Sequence, residues 1–239
     1  MDSIEGISSG SKSGVGVLDK SVAILAFLSG SGPASLADVV GGTGLPRPTA
    51  HRLLSALETH HLVSRRDGRY VLGLRLLGWG NRAAGVGLVE RARPVLEGLR
   101  DESGESTQLY VREGEDRVCV ASVERVTGLR DTVPVGAVMP LSRGSAGKVL
   151  LAWAPGGVDS RPDAAELRGI RVRGWAQSVA EREAGVASIS APVFGDDGRL
   201  RAAVSISGPI SRLGESPGQR FSQLVVEAAR EIESTSGDV

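Results

Sequence analysis

The chain has 239 residues, enough for one large or two modest domains, and 41% of them are apolar, so it can bury a substantial core. Only 3% are aromatic, which leaves few stacking platforms for single-stranded nucleic acid. The 28 basic and 28 acidic residues cancel, and zero net charge excludes indiscriminate coating of nucleic acid. The distribution is less even. Residues 45–75 hold Arg47, Arg52, Arg65, Arg66, Arg69 and Arg75 against only Glu58 and Asp67, together with all three histidines, His51, His60 and His61. A local basic patch on a neutral chain is the footprint of a site-specific binder.

From Met1 to about residue 15 the sequence is Gly- and Ser-rich and reads as a disordered tail. It holds no apolar stretch of signal-peptide length. The run Val22 to Leu28 is far too short to span a bilayer, so a soluble, cytoplasmic protein is expected. A helix is predicted over Val17 to Leu28, with Leu18, Val22, Leu25 and Leu28 at helical spacing and Gly30 beyond its end. Ser35-Leu36-Ala37-Asp38 is a capping-box-like start for a second helix, with Leu36, Val39 and Val40 inward and Gly41, Gly42 and Gly44 stopping it. A third helix starts near Pro46 or Arg47, since proline is tolerated where amides have no helical partner.

That third helix carries the most information. Ala50, Leu53, Leu54 and Leu57 form one buried stripe. The opposite face carries Pro48, Arg52 and Ser55, flanked by Thr49 and His51, and Arg47 sits in the first turn, where a helix N-terminus favours phosphate. Leu62 to Arg66 and Arg69 to Leu72 then flank Asp67-Gly68 and read as a hairpin. It is either an ordinary solvated hairpin or, following three helices, the wing of a winged helix-turn-helix with Arg65, Arg66 and Arg69 on it.

Leu74 to Gly87 reads as a connecting helix, and Leu88 to Arg100 as another with Leu88, Ala92, Val95, Leu96 and Leu99 on one face. Strands are predicted at Thr107 to Val111, Val118 to Val123 and Thr132 to Val135, and a helix at Ser145 to Trp153. After a loose Pro/Gly segment come a long hairpin, Val186 to Phe194 and Leu200 to Ser207, and a closing helix, Phe221 to Ile232, with Leu224, Val225, Ala228 and Ile232 inward. The alternation predicts a mixed α/β second domain. In the hairpin Ser188 and Ser190 share one face, as do Ser205 and Ser207, so hydroxyls either line a cavity or mark a solvent face.

Three motifs resemble the IclR family of bacterial transcriptional regulators. They are Gly44 to Leu54 followed by the wing, Pro140 to Ala152, and Glu183, Gly185 and Ser188 to Phe194 continued by Ala203 to Pro209. They stand in the family's order, and the likeness spans nearly everything after residue 16. The resemblance implies a two-domain α/β fold: an N-terminal winged helix-turn-helix, a linker helix and a C-terminal GAF-like effector-binding domain. It divides the chain into a tail (1–15), the DNA-binding domain (16–74), linker and dimerisation helices (75–100) and the effector-binding domain (101–239). The family's effector pocket carries over to Ser145 and Ala146, to Ser188, Ser205 and Ser207, and to Met139 as an apolar wall. Ser178 departs from the acidic or strongly polar residue of many relatives, and no histidine stands near Arg143.

The expected partners are double-stranded DNA with a palindromic operator, a small effector, carboxylate or amino acid, and a second copy of the chain, as a homodimer or dimer of dimers. No cofactor, metal or membrane is expected. DNA contacts fall to Arg47, Pro48, Thr49, His51, Arg52, Ser55, Arg65, Arg66 and Arg69. The segment Gly128 to Gly136 resembles relatives that control leucine and other amino-acid biosynthesis, which points to an isopropylmalate-like or amino-acid effector. The alternative is an enzyme acting on a small carboxylic acid, with the N-terminal helices used for dimerisation. Against it, the second domain has no histidine.

Other signals have simpler readings. Gly144 to Lys148 resembles part of a phosphate loop, but Ser142 replaces the first glycine and Val149 the magnesium-binding hydroxyl. Cys119, the sole cysteine, sits in a strand pattern and reads as a buried, inert thiol. The adjacent His60 and His61 point apart and make no metal site; His51 meets phosphate or stays solvated. Asp196 and Asp197 fit a hairpin turn.

Overall fold

The computed structural model describes residues 13–83, 87–154 and 163–234. Most of the tail expected over 1–15, part of the connecting segment before Gly87 and most of the Pro/Gly segment after Trp153 lie outside the described residues. The chain divides into two compact units, Met1–Ala83 and Ala84–Val239.

In the first unit, α1 (Gly16–Ser31), α2 (Leu36–Thr43) and α3 (Arg47–Thr59) precede a hairpin of β1 (Val63–Arg66) and β2 (Arg69–Leu72), and then α4 (Arg75–Ala83). The Ser35–Asp38 capping box is complete, with Asp38 N donating to Ser35 Oγ and Ser35 N to the Asp38 carboxylate. Those bonds hold the Asp38 carboxyl below the usual carboxylate range. The glycines of α2 do not all stop it. Gly41 and Gly42 lie inside the helix, because the Phe27 ring occupies the space a Gly42 side chain would need; Gly44, in left-handed backbone, ends it. The Asp67-Gly68 turn has positive φ at both positions, 50° and 74°, which is the geometry of the tight hairpin turn matched to strand twist. Tyr70 bridges back to Ala34, and Val63, Tyr70, Ile24, Leu28, Val39, Ala50 and Leu54 close the core.

α1 corrects one expectation. Leu18 and Val22 are exposed, each at 53%, and the buried contacts are Ile24 and Leu28. The helix also continues to Ser31 and ends at Gly32 rather than Gly30. Its sequence is apolar on nearly every side, so periodicity alone selects no face.

The second unit is one antiparallel sheet with helices on both faces. It contains α5 (Leu88–Ser103), β3 (Ser106–Glu113), β4 (Asp116–Val123), β5 (Val138–Pro140), α6 (Ser145–Ala152), α7 (Ala164–Arg173), β6 (Ala176–Val179), β7 (Val186–Phe194), β8 (Leu200–Pro209), α8 (Ile210–Leu213) and α9 (Gly218–Ser234). The strand order is β5-β4-β3-β8-β7-β6. α5, grouped with the linker from its sequence, packs with α9 on one face, where Leu96, Leu99 and Val225 meet Leu109, Ile189 and Ile206. On the other face α6 and α7 bring Val149, Leu150, Leu167 and Ile170 against Tyr110, Cys119 and Ala203.

The strand expected at Thr132–Val135 is absent; the edge strand is Val138–Pro140 instead. Pro134 has no amide to donate, and a turn closed by Ala137 N to Pro134 O delays entry into the sheet. α7, β6 and α8 went unseen in the sequence. β6, Ala-Gln-Ser-Val, is a four-residue edge strand with polar residues at its centre, and α7 buries only Leu167 and Ile170.

Candidate functional site

Two regions gather functional side chains, one in each unit. On α3 the stripe of Ala50, Leu53, Leu54 and Leu57 is buried as its spacing requires. That fixes the helix's rotation, so Arg47, Pro48, His51, Arg52 and Ser55 are exposed on the far side and Thr49 is half-buried at the edge. Among the described residues, Arg47, Arg52 and Arg66 have no ion pair, whereas the other two wing arginines are tied down. Arg65 stacks 4.6 Å over the Tyr70 ring, donates to its hydroxyl at 2.7 Å and lies 3.5 Å from Glu58. Arg69 lies 3.7 Å from Asp38. Three unpaired cations and two held ones therefore share the helix and wing.

In the second unit a chain of hydroxyls crosses the inner face of the sheet. Ser145 Oγ lies 2.7 Å from both Ser188 Oγ and Ser190 Oγ, Ser190 donates to Ser205 Oγ at 2.9 Å, and Ser207 donates to Gln108 Oε1 at 3.0 Å. The opposed pairs Ser188↔Ser207 and Ser190↔Ser205 on β7 and β8 produce this alignment. Beside it, Ser145, Ala146, Ser188, Ser205 and Ser207 surround a chamber of about 10 Å³, room for a single water. α6 starts at its edge with no side chain capping the first amides. Gly147 is required there, because a Cβ would strike Leu141 O.

Arg117, Asp131 and Arg182 complete the wall, and Lys148 stands outside it. Arg117, 2% exposed, donates through Nη1 to Pro140 O and Arg143 O, each at 2.6 Å, and stacks 5.4 Å from the Tyr110 centroid. Among the described residues its buried Nε has no partner. Burial lowers its pKa, opposed by Tyr110 and assisted by the like charge of Arg182. Arg182 donates to Asp131 at 2.5 Å; burial opposes its charge, but the Asp131 charge and hydrogen bond, together with Tyr110 and Glu183, hold its pKa above the ordinary value. Lys148, on α6, bonds Glu181 at 2.5 Å and Glu166 at 2.9 Å; burial opposes its charge, but these carboxylates hold its pKa above the ordinary value.

The family model described as bacterial transcriptional regulator IclR C-terminal matches residues 82–161 and 164–234, and that described as the IclR helix-turn-helix domain matches 17–67. The chain belongs to the IclR family of bacterial transcriptional regulators. The glycerol operon regulatory protein of Streptomyces griseus is 33% identical over 217 residues, 82% of this chain and 85% of its own. The Thermotoga maritima IclR crystal structure superposes with a TM-score of 0.70 at 25% identity, covering 93% of this chain and 99% of that one. An IclR homologue from Microbacterium hydrocarbonoxydans, solved with 4-hydroxybenzoate, shares the fold at a TM-score of 0.72 and 24% identity, over 92% of this chain and 98% of that one.

As an IclR-family regulator the chain has a helix-turn-helix unit followed by an α/β unit, as its motifs implied. The sequence-derived DNA residues lie on α3 and the β1–β2 hairpin, all exposed except half-buried Thr49. Of the pocket residues, Ser145, Ala146, Ser188, Ser205 and Ser207 meet at the chamber; Met139 does not line it and instead places its sulfur 3.7 Å from Arg117 Nη2. Sequence reasoning missed Tyr110, Arg117, Asp131 and Arg182. Arg117 left a signal: it shares parity with buried Cys119 in a strand that alternates, so it points inward. Asp131 and Arg182 lie outside the strands, where no periodicity applies. Cys119 is fully buried and its thiol is pushed up to about 12 by burial, as an inert core thiol should be. Asp197 accepts from Arg199 N and Arg201 in its turn. Among the described residues no helix is long and apolar enough to cross a membrane.

Proposed function

We propose that this regulator binds a palindromic operator through α3 and the wing and that a small acid bound in the second unit changes its affinity for that operator. The carrying observation is the face of α3 opposite the buried stripe, where Arg47 and Arg52 stand exposed and unpaired. Arg52 and Thr49 meet base edges, and Arg47 and Arg66 meet phosphates. Pro48, His51 and Ser55 lie along the same face and fill the groove. Arg65 and Arg69 hold the wing's shape through Tyr70, Glu58 and Asp38 and present residual charge to the backbone.

The residue ranges proposed for the domains are those of the sequence reading, with residues 75–100 supplying linker and dimerisation helices. Exposed Leu74, Leu77 and Trp79, at 77%, 63% and 50%, support a helix that packs against another copy, giving homodimers or dimers of dimers. Paired winged helices then address half-sites at fixed helical spacing. For the effector, the hydroxyls at the start of α6 suit a carboxylate once the one-water chamber widens to admit it, and the Microbacterium relative's 4-hydroxybenzoate is itself an acid. The loop Gly128–Gly136 borders the chamber through Asp131, so the reading of an amino-acid pathway and a carboxylate or amino-acid ligand stays attached to this site. The effector acts by its different affinity for two arrangements of the paired DNA-binding units. Footprinting of purified protein on genomic DNA tests the proposal. Protected, two-fold symmetric sites whose occupancy shifts with a metabolite from the adjoining pathway support it; uniform, sequence-independent protection contradicts it.

A further inference from the structure

Asp131 borders two cavities. One is the serine chamber; the other, about 370 Å³, lies between segments 129–132 and 183–186 with Pro209. Asp131 is common to both linings; its partner Arg182 lines the chamber, and the next residue, Glu183, lines the larger cavity. Asp131 is 7% exposed, and the loop carrying it is fixed on both sides, by Arg212 donating to Leu129 O at 2.7 Å and by the burial of Val133. The chamber wall holds two guanidinium groups, Arg117 and Arg182, and a single carboxylate. Arg117 Nε is buried without an acceptor, and nearby Gln108 Nε2, whose Oε1 binds Ser207, is also buried and unpartnered. A cationic wall with spare donors offers an incoming acid group hydrogen bonds that the Asp131 carboxylate does not use.

We propose that Asp131 is an internal stopper: the effector enters through the larger cavity, its acid group replaces the Asp131 carboxylate on Arg182 and reaches Arg117 Nε, and the displaced loop segment 130–132 moves outward. This deepens the effector-binding reading above and rests on it. The exchange is charge-conserving at the guanidinium pair, carboxylate for carboxylate. A neutral ligand of the same shape would leave Arg182 unpaired, so the stopper selects acids over their amides. Residues 130–132 swing between anchors at 129 and 133, which turns occupancy of the chamber into a loop displacement.

The test uses acetate and its neutral isostere acetamide as probes on the full chain, in wild type and in Asp131→Asn and Asp131→Ala. Removing the internal competitor raises the fraction of open sites, so acetate binds about tenfold tighter or better to both variants, while acetamide changes little. In Asp131→Asn/Arg182→Gln the gain disappears. A measurement on the wild type guards against a variant that fails to fold: acetate titration followed by carbon-13 and nitrogen-15 NMR shifts the Asp131 carboxyl and Arg182 Nε signals together with one midpoint. Acetate binding with Asp131 signals unmoved and affinity indifferent to Asp131→Asn overturns the stopper while leaving the effector site intact. Absence of acetate binding to every form overturns both the stopper and the chamber's reading as an acid site.

Discussion

The arginines of the two units make opposite uses of one side chain. On α3 and the wing, Arg47, Arg52 and Arg66 are exposed and, among the described residues, without ion pairs, which suits the proposed exchange of solvent for phosphate or base edge. In the second unit Arg117 is desolvated and bonded to two carbonyls, and Arg182 is committed to Asp131. An exposed, unpaired cation contributes little to folding and much to an external polyanion. A buried one fixes its surroundings and must be offered a specific anion before it lets go. The wing shows both uses within five residues: Arg66 is free, and Arg65 is clamped on Tyr70.

The largest effect that tests this division concerns the scaffold under the free arginines. Leu54 is fully buried between α3 and its neighbours, so Leu54→Ala removes about 2–5 kcal/mol of the first unit's stability. Denaturant unfolding of the full chain followed by hydrogen exchange of the α1–α3 amides measures it; a loss below about 1 kcal/mol contradicts the buried stripe that orients Arg52. Next comes Arg52→Ala, which costs about 1–3 kcal/mol on the specific operator and relaxes one position per half-site without lowering thermal stability. A loss of stability instead would place Arg52 among the structural arginines.

Ser35→Ala is expected to cost about 1 kcal/mol by removing one arm of the α2 capping box. Because the Asp38 carboxyl is depressed in the folded state, its contribution is present above the unfolded value of 3.8 and is lost as pH falls through the lower folded value. The stability difference between wild type and Asp38→Asn therefore closes on acidification below that value, and a difference that persists at lower pH would contradict the depressed carboxyl. The smallest effect separates Arg66 from Arg65. Arg66→Ala weakens binding to all duplexes alike and flattens the slope of log affinity against log salt by about 0.9. Arg65→Ala lowers the wing's stability through its lost stack and hydrogen bond. Identical outcomes for the two variants would erase the distinction.

The elements that sequence reading found are those whose period or punctuation is strong. The stripe Ala50, Leu53, Leu54, Leu57 and the Asp67-Gly68 turn leave a single solution, and the alternating serines of β7 and β8 place hydroxyls on one face whatever lies above it. α1 was misjudged because its own apolar residues fall on nearly every side, and β6 because Gln177 and Ser178 mimic a loop. The exposed face of α3 was legible because it follows from helix rotation alone. The chamber was half legible: strand parity gives the serines and could have given Arg117, but Asp131 and Arg182 meet across 51 residues of chain through loops whose course no local pattern records.

The most direct measurement of the central claim is a base-by-base comparison of operator preference for wild type and Arg52→Ala, using duplexes that carry every single-base change in the footprinted site. The account requires that wild type discriminate at symmetric half-site positions and that the variant lose discrimination at one of them in each half-site, with the others preserved. An unchanged preference profile, or equal weakening on every duplex, would contradict the assignment of α3 as the helix that reads sequence.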